Sequence, residues 1–202
     1  MDKATTIEHA LDLLGEHDFI DNSGTQSIAM RHYAATLREC CSAHHWSFAR
    51  RSRVLIPTEE NKFTLPIDCL RVKGVFRTDT EMPYPVRVPH WQLIGRTIYA
   101  EQESIRLVYT ADFTASGEEI PDAAPLFQQY VIHTLASRLA PTICGAERGV
   151  QLANNLMQIA AAYKHDALVT DRQQDGSNDQ NHFAEAVEAM RENARTLRKY
   201  IR

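Results

Sequence analysis

A chain of 202 residues suffices for one substantial domain, or one domain with an appendage. Its apolar share of 44%, charged share of 24% and net charge of −4 argue against a surface built wholly to grip nucleic acid, while leaving room for a local basic patch. The four cysteines form no disulfide framework and no apolar run approaches the roughly 18 residues of a membrane span, so reduced thiols and a soluble, cytosolic protein are expected. The start, Met-Asp-Lys-Ala-Thr-Thr, lacks a basic segment followed by an apolar run, so no signal peptide is expected either.

The first helix is predicted over 5–14. Thr5 and Glu8 have the spacing of a capping box, Ile7, Ala10, Leu11 and Leu14 form the stripe, and Gly15 supplies the stop. A second helix is predicted over 24–45, opened by Ser23 and Gln26 and buried through Met30, Tyr33, Leu37, Cys40, Cys41 and His44. It exits into Trp46-Ser47-Phe48, two aromatics set to enter a core, before Arg50, Arg51 and Arg53 bring the chain to the surface.

Residues 54–110 change texture. Val54-Leu55-Ile56, Phe63-Thr64-Leu65 and the alternating Leu70-Arg71-Val72-Lys73 read as short strands. Pro83, Pro85 and Pro89 restrict their segment to an edge strand or extended arm, and Ile105-Arg106-Leu107-Val108-Tyr109 closes the run. The pattern predicts a small antiparallel β-sheet inserted between helices.

Two more helices follow. One is predicted over 124–140, buried through Leu126, Phe127, Tyr130, Val131, Leu135 and Leu139 and ended by Pro141. The other is predicted over 146–169, with Leu152, Leu156, Ile159 and Tyr163 on one strip and Ala153, Met157 and Ala160 on the next. At 1.5 Å per residue it would be about 35 Å long. The polar run 171–182 reads as a flexible linker. Over 183–202, Phe183, Val187, Met190, Ala194, Leu197 and Ile201 recur at coiled-coil spacing, flanked by Arg191, Arg195, Arg198, Lys199 and Arg202. That arm either folds back on its own bundle or docks on another subunit. The expected fold is α+β, mainly α: a helical bundle over 1–170 with an inserted sheet, a linker, and a C-terminal amphipathic helical arm.

Residues able to do chemistry are sparse. Cys40 with His44 and Cys41 with His45 have helical i,i+4 spacing, but Cys69 and Cys144 add no Cys-x-x-Cys, so buried thiols are the preferred reading over a metal site. No glycine-rich phosphate loop, no Gly-x-Ser-x-Gly and no His-Glu-x-x-His is present. Glu59-Glu60 and Glu118-Glu119 read as solvated loop acids, and Arg50, Arg51 and Arg53 as a solvated strand entry rather than phosphate ligands. No catalytic residue, cofactor site or metal site is expected.

The order of features does carry a resemblance. A short helix ending in Leu13-Leu14-Gly15 precedes a longer one holding Tyr33 and Arg38, then Trp46-Ser47-Phe48-Ala49 and Phe63-Thr64-Leu65-Pro66-Ile67-Asp68-Cys69-Leu70-Arg71-Val72. After Ile105–Tyr109, Pro125-Leu126-Phe127 opens a helix carrying Leu135-Ala136 and Leu139-Ala140. Over about residues 4 to 165 this resembles the tail tubular protein A family, the head-to-tail adaptor (connector) proteins of short-tailed phages and related prophages.

The resemblance implies a virion structural protein of the tail or neck, assembled in the host cytoplasm. Its copies would form a ring, typically twelvefold, joining the portal protein above to the tail tube or nozzle protein below, with DNA passing through. An acidic balance suits such a passage, since gripping phosphate requires Lys and Arg. On this reading the arm residues Phe183, Val187, Met190, Arg191, Leu197, Arg198 and Ile201 contact the portal or a neighbouring subunit, and Tyr84 and Trp91 contact the tail tube. Two other classes stay open: a nucleic-acid-binding helical protein using the basic C-terminal helix, and a cell-wall hydrolase, for which no residue pair stands out.

Overall fold

The computed structural model describes residues 1–15, 23–78 and 85–174. Among them the fold is α+β and mainly α, with five helices and two three-stranded antiparallel sheets. The expected linker from 175 onward, the arm 183–202 with its seven proposed contact residues, and Tyr84 lie outside the described residues.

Helix α1 (Lys3–Asp12) starts earlier than its apolar stripe suggests, because Asp2 is the N-cap and accepts from the Thr5 amide at 2.7 Å. The expected Thr5–Glu8 capping box is therefore inside the helix. Gly15 lies beyond a closing turn at φ 81°, a left-handed value that suits a residue without a Cβ. Helix α2 (Ser23–Ser42) stops three residues short of the expected end, so His44 and His45 lie outside it. Tyr33, Leu37, Cys40 and Cys41 are buried as expected, whereas Met30 is exposed and Ala29 takes the inward place.

Between the helices are β1 (Arg50–Leu55), β2 (Lys62–Thr64), β3 (Cys69–Arg77), β4 (Gln92–Ile94), β5 (Thr97–Tyr99) and β6 (Ile105–Ala111). They form two sheets, ordered β1-β6-β3 and β2-β5-β4, where a single sheet was expected. Strand β1 also begins at Arg50, four residues before the expected insertion, since its whole length pairs with β6 from Arg50–Thr110 to Leu55–Ile105. The proline-rich segment behaves as an edge: Arg77 donates to the Val86 carbonyl at 2.8 Å and Val88 to Val75 at 2.9 Å. Phe63, Val75, Ile98, Ile105, Leu107 and Tyr109 make the core of this part.

Short helix α3 (Phe113–Ser116) is capped by Asp112, which leads to α4 (Pro125–Ile143) and α5 (Ala146–Gln174). Pro125 takes the first turn, where its missing N–H costs nothing. Pro141 does not end α4 as expected. It sits in the last turn, where one lost donor is tolerable, and the Cys144 amide still reaches the Ala140 carbonyl at 2.8 Å. At the α4–α5 corner a Cβ on Gly149 would meet the backbone of Ala140 and Pro141, so only glycine permits this approach. Helix α5 outlasts its expected end by five residues, taking in Asp171 to Gln174, which composition had placed in the linker. The helical core joins Ile7, Leu11, Leu37, Trp46, Phe127, Val131, Leu135 and Leu139 to Leu156 and Ala160 on α5.

Candidate interaction surfaces

The aromatic exit of α2 is the structural anchor. Trp46 is fully buried, stacks on Phe48 and meets Phe127 edge-on, while its indole N–H donates to the Cys40 carbonyl at 3.0 Å. A cavity of about 90 Å³ opens beside it, lined by Phe48, Leu126, Phe127, Ala167 and Asp171 among others. Asp171, only 5% exposed, accepts from the Ser47 amide at 2.8 Å and the Ser47 hydroxyl at 2.6 Å. His44 Nε2 lies 3.5 Å from its other oxygen. This serine bonds the carboxylate and not the histidine, so the trio lacks the nucleophile–base contact of acyl-transfer chemistry. It fastens the end of α5 to the α2–β1 connection.

The residues that carry the family resemblance mostly build corners. Arg38 bonds Asp112 at 2.8 Å and the Thr114 hydroxyl at 3.0 Å, tying α2 to the β6–α3 junction. Asp68 accepts from the Tyr109 hydroxyl at 3.0 Å, and the Asp112 amide reaches the Asp68 carbonyl at 2.8 Å. Burial and the adjoining Asp68 carboxylate push the Tyr109 hydroxyl up to about 12. Asp112 is lowered: burial acts to raise it, and hydrogen bonds from Thr114 and Arg38 outweigh that.

The thiols are poor ligands as placed. Burial pushes Cys40 and Cys69 up to about 11 and Cys41 higher still, and no group of three metal-ligating side chains occurs among the described residues. Glu59 pairs with Lys62 at 2.6 Å and Glu118 with Arg51, so these loop acids are engaged in surface ion pairs.

Three surfaces are better candidates for function. The first is α5. Its buried face carries Leu156, Ala160 and Ala167, while Met157 and Val150 are 47% and 50% exposed on one flank and Ile159 is 43% exposed on the other. Met157 and Ile159 point roughly 160° apart at 3.6 residues per turn. The second is a set of exposed aliphatic residues in the β-region. Arg96, in the β4–β5 turn, donates to the Pro66 carbonyl at 2.5 Å; Ile67 next to Pro66 is 88% exposed, and Leu93 and Ile94 of β4 are exposed as well. The third is the basic end of β1-β6-β3, where Arg50 and Arg71 both pair with the buried Thr110 and Arg71 donates to the Ser42 carbonyl at 3.2 Å. His45 Nδ1 contacts the Thr110 hydroxyl at 2.9 Å. Burial, then the Arg71, Lys73, His44 and Arg50 charges, push His45 down to about 4.

Comparison with protein-family models and with curated proteins finds no match for the chain. Function therefore rests on these surfaces.

Of the proposed contact residues, Trp91 is among those described. It is half-buried against the β-region core, with Leu93 and Ile94 emerging shortly after it. The sequence pattern does not single out Leu93 and Ile94 as contact residues. Their signal was available: two consecutive apolar residues in a strand point to opposite faces, so in a three-residue edge strand ended by Gly95 one of them cannot face a core. Among the described residues no helix is long and apolar enough to cross a membrane.

Proposed function

We propose that this protein is a head-to-tail adaptor of a phage virion, a ring-forming subunit joining the portal to the tail tube or nozzle and framing part of the DNA passage. The observation that carries this reading is α5, which keeps Met157 and Val150 exposed on one flank and Ile159 on the other while packing on α4 by its third side. A rod with two different apolar flanks can give one to each neighbour. That is the heterologous contact a ring requires. Exposed Leu93 and Ile94, shortly after Trp91, support a contact at the β end; on this reading Trp91 and Tyr84 would meet the tail tube, and the arm residues Phe183, Val187, Met190, Arg191, Leu197, Arg198 and Ile201 would join the portal or a neighbour. Virion localisation follows from this role.

Electron microscopy of the purified protein, alone and mixed with portal rings, tests it. Closed rings or capped portals are expected. Inert monomers in both samples would overturn the assignment.

A further inference from the structure

The cavity of about 90 Å³ beside Trp46 lies where three parts of the chain converge. Its walls are the Trp46–Phe48 exit, the N-cap and first turn of α4 from Ala124 to Phe127, and the last turns of α5 through Ala167, Thr170 and Asp171. Apart from Thr170 and Asp171 every lining side chain is apolar, and Asp171 already accepts twice from Ser47. Trp46, Phe127 and Ala167 are buried, whereas Ala123 and Pro125 are exposed, so the cavity opens on their side. Water finds few hydrogen-bond partners on such walls, and the group that suits them is apolar.

The aromatic walls favour a ring. A closed cavity of roughly 150 Å³ holds a benzene molecule, and a smaller one open at a side can seat a phenyl ring whose outer edge stays in the mouth. Phe48 and Phe127 can meet such a ring edge-on or offset, and its electropositive edge can face the Asp171 carboxylate.

Helix α5 hands the chain over at this point. It ends at Gln174, one turn beyond Thr170 and about 6 Å further along the axis. The stretch 175–182 holds no apolar side chain, so Phe183 is the first after Val169. Its eight preceding residues can extend about 27 Å, several times the way back to the cavity.

We propose that Phe183 of this same chain seats its ring in the cavity, against Phe48, Leu126 and Phe127, and so pins the arm 183–202 to its own helical bundle. The occupant is intramolecular because a tether this short gives Phe183 a millimolar effective concentration at the cavity, and closing so small a loop costs little entropy. The seat describes the free chain and does not depend on the adaptor reading. On that reading the arm leaves it for the portal or a neighbour when a ring forms.

Nuclear magnetic resonance of the full-length chain, diluted to a monomer and carrying isotope-labelled alanine methyls, reads the seat. In the wild type, cross-peaks should join the Phe183 ring to the Ala167 and Ala124 methyls. Phe183→Ser, which alters only the arm, should abolish them and shift both methyl signals. Xenon should then shift the Ala167 methyl in Phe183→Ser and leave it unmoved in the wild type. A wild-type spectrum without those cross-peaks overturns the proposal, and so does an equal xenon shift in both chains, which would mean an empty cavity. Mixing labelled Phe183→Ser with unlabelled wild type separates the source of the ring. Cross-peaks in that mixture would come from another copy and overturn the intramolecular seat.

Discussion

Ser47 offers both its amide and its hydroxyl to one oxygen of Asp171, at 2.8 and 2.6 Å, across 124 residues of sequence. The bond pair closes the helical bundle, holding the last turns of α5 against the connection from α2 to β1. Replacing Asp171 with alanine leaves a backbone donor unpaired in a half-buried place and should cost about 1–3 kcal/mol, whereas Ser47→Ala, which keeps the amide bond, should cost about 1 kcal/mol. Urea unfolding of both variants checks the order. Equal losses would mean that the amide contact contributes little.

Arg38 and Asp112 give a second test, with a pH dependence. Asp112 is held below the usual carboxylate value near 3.9. A lowered folded-state pKa means that the folded form binds its proton less readily than the unfolded chain does. Its stabilisation is therefore complete above about pH 4 and lost as pH falls through the folded value. Asp112→Asn should flatten the acid limb of a stability–pH curve below pH 4. Asp112→Ala should cost more than Arg38→Ala, because Asp112 also caps α3 through the Thr114 amide at 2.9 Å, and half of Arg38 is in solvent. A parallel acid limb in wild type and Asp112→Asn would assign the lowered value no thermodynamic consequence.

The helices were legible because their apolar stripes keep the 3.6-residue period, and Trp46-Ser47-Phe48 could be read as an anchor because two aromatics flank one polar residue. What escaped is non-local. Asp171 sits in a run that is polar throughout, and only Ser47, far upstream, decides that it is buried and helical. Arg50-Arg51-Ser52-Arg53 shows no apolar alternation, yet the ladder to β6 makes it strand. Division into two sheets, and the alignment of Arg50 with Arg71 on Thr110, are facts of register that spacing along one strand does not contain. Read singly, each arginine was a solvated charge. The tie between the β4–β5 turn and the segment after β2 likewise depends on Arg96 reaching the Pro66 and Ile67 carbonyls, which no local pattern announces.

The cysteines should differ in reactivity by position rather than by type. Cys40, Cys41 and Cys69 are buried and raised by that burial, while Cys144 is half-exposed and donates only a long contact to the Leu14 carbonyl at 3.8 Å. Titration of the native protein with an aromatic disulfide at pH 8 should find one fast thiol, lost in Cys144→Ser, and three that react only on unfolding. Two or more fast thiols would show that the α2 face or the start of β3 opens readily.

The flanks of α5 allow the proposed assembly to be tested for its symmetry. Met157→Asp and Ile159→Asp each place a charge on an exposed site, so each should leave folding stability within about 0.5 kcal/mol of the wild type. Both should abolish rings, alone or on portals, if one flank of a subunit meets the opposite flank of the next. Their mixture discriminates further. In a heterologous contact, the intact Met157 flank of the Ile159→Asp chain can still meet the intact Ile159 flank of the Met157→Asp chain. Each such pair then presents only damaged flanks outward. Equimolar mixing should therefore yield heterodimers that stop growing, visible by mass photometry, and neither variant should dimerise by itself. If the contact were instead a two-fold pairing of like flanks, one variant would associate normally and mixing would rescue nothing.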